Sequence, residues 1–571
     1  MCSASEGRQF QRQAREKWSS KVDFLLSCLG YAVGLGNILR FPYIMGRNGG
    51  AAFLIPYALA TVFAGLPALY FILAMGQYNQ VSPIKIFHRL APLFSGLGVT
   101  QVLLHFFSAP FYNVYVAWAL LYLWHSLVAL VSGGNLPWAE CHPDLYDPLQ
   151  RLSTDYTLLT RPRAGNFAAE TWTLQGSSVL LALVCAWLLT CAAVIRGIKL
   201  SGKVVWFTAT FPYVILFFLL YVGLQLPNME VGLRYYLIPE WHKLRDPRIW
   251  LDAVQQVFYS MSVGGAGMMT LASYNEFENN VMRDTLVIAI GNGATSLLIG
   301  FIIFPILGHV ASRQGIAVDK VASTGPALAW VSYPDAVATL FDPLNKVISL
   351  LFFSMVLLLA IDTMMVSLET VVTAVADIAP ALASSKRKRA LLVCAICFTE
   401  FILGLPFCTG SGQALMNLVD TCIGGWPAVL TTLLDMVLVC WIYGIDRFTE
   451  DIRMMIGADT RWWVRLDGPV FKALSFNWKF VLPIALSVLG VTSVFSIITN
   501  GFLLFNDKPY PLWGALLGVL LIFLDVGWIL YGMVWYLIKA ARTKKYKWLI
   551  RPTRLYGPQD PESRKRAGES E

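Results

Sequence analysis

The chain has 571 residues, 56% of them hydrophobic and 14% charged, with a formal net charge of +9 and a mean hydropathy of +0.59. A soluble domain carries about 25% charged residues, so this composition excludes a soluble globular protein and describes one with many membrane spans. The basic excess lies in short stretches between apolar runs, where the charge asymmetry of membrane loops accounts for it, and no nucleic-acid partner is expected.

Residues 1–20 form a charged segment with Arg8, Arg12, Arg15 and Lys17, without the short apolar core and small-residue cleavage site of a signal peptide. Apolar runs then recur near 21–44, 50–76, 98–125, 176–195, 203–222, 250–274, 285–310, 344–378, 390–406, 414–444, 478–500 and 512–540. Each is long enough to cross about 30 Å of hydrocarbon as a helix. The expected fold is an all-α membrane protein: a transmembrane unit over 21–540 between the N-terminal segment and a basic tail, 541–571. Lys85 with Arg89, Arg196 with Lys199 and Lys203, "KRKR" at 386–389 and the tail fall on one side if the spans alternate. That side is cytoplasmic by the positive-inside rule, so both termini are expected there, and the lipid bilayer of the plasma membrane is the expected surrounding.

Cysteine and histidine carry little signal. "CAIC" at Cys394 and Cys397 has redox-pair spacing but sits in an apolar helix without a partner pair, and packing explains it. The loop 126–175 holds the single Cys141 and no Asn-x-Ser/Thr sequon, and the six histidines lack zinc-site spacing. No organic cofactor and no enzymatic nucleophile–base constellation is evident.

Two spans interrupt themselves. Residues 30–42 read "GYAVGLGNILRFP" and 259–267 read "YSMSVGGAG", both glycine-rich within apolar segments, with about five spans between them. Glycines also let helices pack closely. A matched pair of interruptions nevertheless points to two repeats, about 21–222 and 250–444, with 478–500 and 512–540 as additional helices. Repeats of this kind build secondary transporters whose unwound backbone binds ions at mid-membrane, and such backbone survives only around a protected cavity.

Polar residues within other spans fit that reading. An ionised Asp362 near the bilayer centre costs about 2.5–3.5 kcal/mol on insertion scales unless partnered. A cation is a natural partner, and Thr363 adds a hydroxyl oxygen. Asn292 and Ser296 lie one turn apart on one helical face. Each could instead serve an interhelical hydrogen bond.

The stretches "GYAVGLGNILRFPYIMGRNGGAAFLIPY", "GIKLSGKVVWFTATFPYVIL", "QQVFYSMSVGGAGMMTLASYNEF", "GPALAWVSYPDAV" and "YPLWG" resemble the neurotransmitter:sodium symporters, sodium- and chloride-dependent carriers with the LeuT-type 5+5 inverted repeat. The resemblance runs from about Arg15 to the tail. It implies alternating access around helices one and six, two bound sodium ions and one chloride. By motif it implies a first sodium site at Ala32, Asn37, Ser260 and Asn292, and a second at Gly30, Val33, Leu359, Asp362 and Thr363. The implied chloride site comprises Tyr57, Gln256, Ser260, Asn292 and Ser296. An outer gate would pair Arg40 with Asp420 above Tyr112 and Tyr259, and an inner gate would join Arg15 and Trp18 to Tyr274 and Asp377.

The resemblance also implies that substrate meets Tyr31, Ala32, Gly34, Gly36, Ser108, Tyr112, Tyr259, Ser262, Gly265, Thr363 and Ser367. Gly34 stands where biogenic-amine carriers place an aspartate, and Ser262 resembles the α-amino-acid carriers. Gly265 replaces a family aromatic, so a neutral α-amino acid with a long or bulky side chain is the expected substrate. The alternatives are another amine-type or amino-acid-derived neurotransmitter, or a non-transporting regulatory member of the fold. Ile72 stands where a second-span glutamate is usual, which removes a hydrogen-bonding anchor behind the sixth-span break.

Overall fold

The computed structural model describes residues 16–139, 176–319, 330, 333–338, 340–456, 468–500, 504–505, 508–544, 546–558 and 564. These residues are helical throughout apart from turns and one two-residue antiparallel pairing, Leu504 with Pro509 and Phe505 with Lys508. Among them, 9 helices are long and apolar enough to cross a membrane, from Gly50–Asn79 to Leu512–Thr543. The helix pair Lys21–Ala32 and Gly36–Arg47, bent by 42°, passes the same test as a unit. The two remaining expected spans take other forms: Ser178–Val194 is a shorter apolar helix, and the sixth segment is split into Pro247–Ser260 and Ala266–Ala272. Interruption therefore falls on the two glycine-rich stretches, and the fold is the expected all-helical membrane architecture.

The local causes are legible in the backbone. Helix Lys21–Ala32 starts at Ser20, whose side chain accepts the Asp23 N–H, and stops at Val33, where ψ reaches 68°. The chain then re-enters helix through a π-helical turn, Gly36–Arg40. Such widened turns recur at functional sites because they rotate side chains out of the α register. In the sixth segment Ser262 has φ 52° and Gly264 φ 103°, and two positive-φ residues separated by one position cannot continue an α-helix.

Close approaches fix the split helix. A Cβ on Gly76 would lie 2.2 Å from the Met269 carbonyl oxygen, so helix Gly50–Asn79 can touch Ala266–Ala272 only without a side chain there. A Cβ on Gly264 would lie 2.8 Å from Thr432 Oγ1 and 2.9 Å from the Ala428 carbonyl oxygen. The longest helix, Ser95–Ser132, packs most extensively against Leu344–Ile378. Large apolar side chains such as Phe217, Phe398 and Phe523 are exposed on outward faces, as lipid contact requires. The cysteine pair of the ninth span acquires a third neighbour, Cys191, whose Sγ lies 3.8 Å from that of Cys394; the described cysteines are all free thiols. Cys141 and Arg15 fall outside the described residues.

Candidate functional site

Five polar side chains from four segments converge beside the first break. The Asn37 amide donates to Asn292 Oδ1 at 2.8 Å and to Ser296 Oγ at 3.0 Å. The Ser260 hydroxyl lies 3.1 Å from both Asn37 Oδ1 and Asn292 Oδ1, and the Tyr57 hydroxyl donates to Ser296 Oγ at 3.1 Å. All five residues are buried. Gln256 joins them by donating to the Gly36 carbonyl at 3.1 Å, which leaves its Oε1 buried without a hydrogen-bond partner. Thus Asn37, Ser260 and Asn292 of the expected first sodium site and Tyr57 and Ser296 of the expected chloride site form one network, with Gln256 attached only to the backbone beside Asn37. Ala32 is buried at the end of helix Lys21–Ala32.

A second group forms where helix Leu344–Ile378 crosses the first broken span. A Cβ on Gly30 would lie 2.6 Å from Asp362 Oδ2, and among the described residues that buried oxygen has no hydrogen-bond partner. Its twin, Oδ1, accepts a short hydrogen bond from Thr208. Thr363 Oγ1 donates to the Leu359 carbonyl at 3.3 Å, and Val33 is buried alongside. Thr208 was invisible in the sequence: a threonine in an apolar span most often satisfies its own preceding turn, and this hydroxyl also lies 3.2 Å from the Val204 carbonyl, so its single proton is shared between that oxygen and Asp362.

The positions expected around substrate fall into three sets. At the first break, a Cβ on Gly34 would lie 2.8 Å from Thr363 Oγ1 and 3.5 Å from the Tyr112 hydroxyl, and one on Gly36 would lie 2.9 Å from the Tyr259 ring. At the second, the Tyr31 hydroxyl occupies the place of the missing Gly267 side chain, at 2.6 Å, and interacts with Ser262. Ser367 is buried and Ser108 half-buried; among the described residues no hydrogen bond joins either to this group. The space beside Gly265 differs from expectation. His105, which sequence reasoning passed over as one scattered histidine, puts Nε2 3.0 Å from where a Gly265 Cβ would sit. Its imidazole occupies volume that the missing aromatic was expected to leave for a bulky substrate.

The gates also differ in part. Arg40 stacks over the Tyr259 ring at 4.3 Å, and Tyr259 is 43% exposed. Arg40 and Asp420 interact electrostatically, yet among the described residues no ion pair within 4.0 Å joins them. The guanidinium has been taken up by the aromatic face. On the side that carries the N-terminal segment, Trp18 donates its backbone N–H to the Tyr274 carbonyl at 3.2 Å and its indole N–H to the Leu271 carbonyl at 3.0 Å. The Tyr274 hydroxyl donates to Glu369 at 2.8 Å. Arg389 grips both Glu369 oxygens at 2.8 and 2.9 Å, a pair the sequence reading missed. Asp377 accepts the Ser82 N–H at 2.7 Å and shares with Glu16, Tyr274, Glu369, Thr373 and Arg389 a cavity of about 130 Å³.

Helices long and apolar enough to cross a membrane, two of them interrupted beside buried oxygen-rich clusters, are the architecture of a secondary transporter of ions and small solutes. The chain belongs to the sodium:neurotransmitter symporter family, which it matches over residues 15–157 and 168–540. It is a transporter and not an enzyme. It is 34% identical over 599 residues to the sodium- and chloride-dependent glycine transporter 2 of Xenopus laevis, covering 96% of this chain and 73% of the relative. It is 38% identical over 570 residues to the sodium- and chloride-dependent neutral and basic amino acid transporter B(0+) of Mus musculus, covering 92% and 86%. Against the human sodium- and chloride-dependent creatine transporter 1 the identity is 35% over 535 residues, covering 88% and 80%.

Proposed function

We propose that this chain is a symporter that imports a neutral α-amino acid, driven by two sodium ions and accompanied by one chloride, through alternating access. The observation that carries the reading is Asp362, buried, pressed against the side-chain-free Gly30 and left with one unpartnered oxygen. A buried carboxylate in that condition calls for a cation. The group of Asn37, Ser260, Asn292, Ser296, Tyr57 and Gln256 supplies neutral oxygens for the sodium of the first site and hydroxyl and amide donors for an anion. The transport unit is read as 21–540, with its repeats at 21–222 and 250–444, in the plasma membrane with both termini cytoplasmic. With the Trp18–Tyr274 side tied and Tyr259 exposed on the other, the chain is then outward-facing.

The substrate follows from what the cleft lacks. Gly34 offers no carboxylate to an amine, and its neighbours Thr363 and Tyr112 leave no room for one. The first half-helix beyond the break presents amides and the positive end of its dipole, which favours a substrate carboxylate. His105 beside Gly265 limits side-chain bulk on that wall, so a small or slender amino acid fits better than the bulky one expected from sequence. Relatives named for glycine, for neutral and basic amino acids and for creatine bracket this class. Two sodium ions, a chloride and a zwitterion move one net charge, worth about 2.3 kcal/mol per 100 mV. Uptake of labelled amino acids, creatine and monoamines into proteoliposomes, with sodium chloride replaced ion by ion, tests the reading. Sodium-dependent uptake of amino acids supports it; uptake confined to monoamines, or indifferent to sodium, rejects it.

A further inference from the structure

We propose that His105 is a positioning residue for the transport cycle, holding the second broken span in register by accepting the Gly267 amide. Helix Ala266–Ala272 starts from Gly265, an extended residue with no side chain to cap the helix, so its first amides must find partners elsewhere. The Gly267 N–H finds His105 Nε2 at 3.0 Å, with His105 only 3% exposed. An N–H donor requires that nitrogen to carry a lone pair, which places the ring proton on Nδ1 of a neutral imidazole. Helix Gly50–Asn79 offers no side-chain acceptor at this level: Gly76 packs on Met269, and Ile72, one turn earlier, is apolar.

The imidazole and Gly265 form a matched pair, because a Cβ at 265 would lie 3.0 Å from Nε2 and 3.4 Å from Cε1. The same ring faces the first break, with its centroid 6.3 Å from that of Tyr31, whose hydroxyl rests against Gly267. His105 therefore hydrogen-bonds the second half of the sixth segment and packs beside the last turn of the helix that ends at the first break. One turn away on the same helix, Gln101 donates to Asp435 at 2.6 Å. Asp435 belongs to helix Trp426–Val437, whose Thr431 reaches the Gly264 carbonyl at 3.4 Å. Helix Ser95–Ser132 thus braces the break directly through His105 and indirectly through Asp435, and a movement of Ala266–Ala272 has to part the Gly267–imidazole bond.

The proposal rests in part on the transport reading, and the test keeps the two apart. The full chain is purified as wild type, His105→Gln, which keeps an acceptor, and His105→Leu, which keeps bulk but removes it. Hydrogen–deuterium exchange of the peptide containing Gly267 is measured, with uptake in proteoliposomes corrected for the amount inserted. We expect exchange at Gly267 to rise about tenfold or more in His105→Leu and to stay within about threefold of wild type in His105→Gln. The maximal sodium-dependent rate is expected to fall about tenfold in His105→Leu, with a smaller change in half-saturating substrate, and to be largely restored by Gln. Wild-type exchange in His105→Leu, or Gln behaving like Leu, overturns the proposal. Should His105→Leu not fold, Gly265→Ala displaces the ring instead; unchanged exchange at Gly267 there is equally fatal. A wild type without sodium-dependent uptake rejects the transport reading, while the exchange comparison still decides His105.

Discussion

Gly30 and Asp362 are fitted to one another: the side chain that Gly30 lacks would lie 2.6 Å from Asp362 Oδ2, the carboxylate oxygen without a hydrogen-bond partner among the described residues. Both changes that spoil this fit are informative. Asp362→Asn removes the only formal charge of the expected second sodium site and is expected to abolish sodium-driven uptake, with surface levels mostly retained. Gly30→Ala pushes the carboxylate aside without discharging it, so we expect a raised half-saturating sodium concentration. Uptake against sodium concentration, at matched surface expression, checks both; near-wild-type curves refute the assignment.

Chloride dependence can be read at Ser296. Tyr57 and Asn37 both direct donors at its hydroxyl oxygen, and two sodium ions nearby would favour an additional negative charge. Replacing chloride by gluconate at constant sodium is expected to cut wild-type uptake about tenfold, equivalent to about 1.4 kcal/mol. Ser296→Glu, which fixes an anion at the same donors, is expected to transport with much weaker chloride dependence. Equal wild-type uptake in the two media rejects the site.

At Gly265, volume decides. Gly265→Ala is expected to destabilise by about 1–3 kcal/mol, the usual cost of overpacking, because its Cβ would press on the imidazole of His105. Gly265→Phe is expected to abolish uptake of every substrate rather than to select against large ones. Thermal unfolding of Gly265→Ala, His105→Ala and the double variant gives the coupling: strong non-additivity is expected for residues in contact, and simple additivity means the ring does not fill that space.

The tie on the side of the N-terminal segment centres on Glu369, whose side chain is 5% exposed and held by Arg389. Removing one partner of a buried ion pair costs about 3–5 kcal/mol because the other charge is left behind. Glu369→Gln is therefore expected to lower thermal stability and to loosen the Trp18–Tyr274 closure. Faster labelling of a cysteine introduced at Thr373, measured from the side that carries the N-terminal segment against a cysteine-depleted background, checks this.

What could be read from sequence had a physical signature in composition or spacing. Span-length apolar runs are imposed by the bilayer, and glycine-rich interruptions stand out because the bilayer disfavours them, so the helical architecture and both breaks were legible, as was Asp362, whose charge is conspicuous among apolar residues. The one-turn spacing of Asn292 and Ser296 placed them together correctly. Thr208 and His105 were not legible, because their meaning lies in partners far along the chain, Asp362 and Gly267, reached only once helices pack. Arg40 and Asp420 do interact electrostatically, but that the guanidinium would lie over the Tyr259 ring was not legible, because sequence does not rank an aromatic face against a carboxylate.

Ser262 holds a φ of 52°, a backbone state that costs a residue with a Cβ about 1–2 kcal/mol and glycine nothing. Two laboratory selections would consequently drive this position in opposite directions. A library screened only for resistance to heat should enrich glycine at 262, since the change relaxes the chain. A library screened for growth on the transported solute should keep serine, since its hydroxyl is what meets Tyr31.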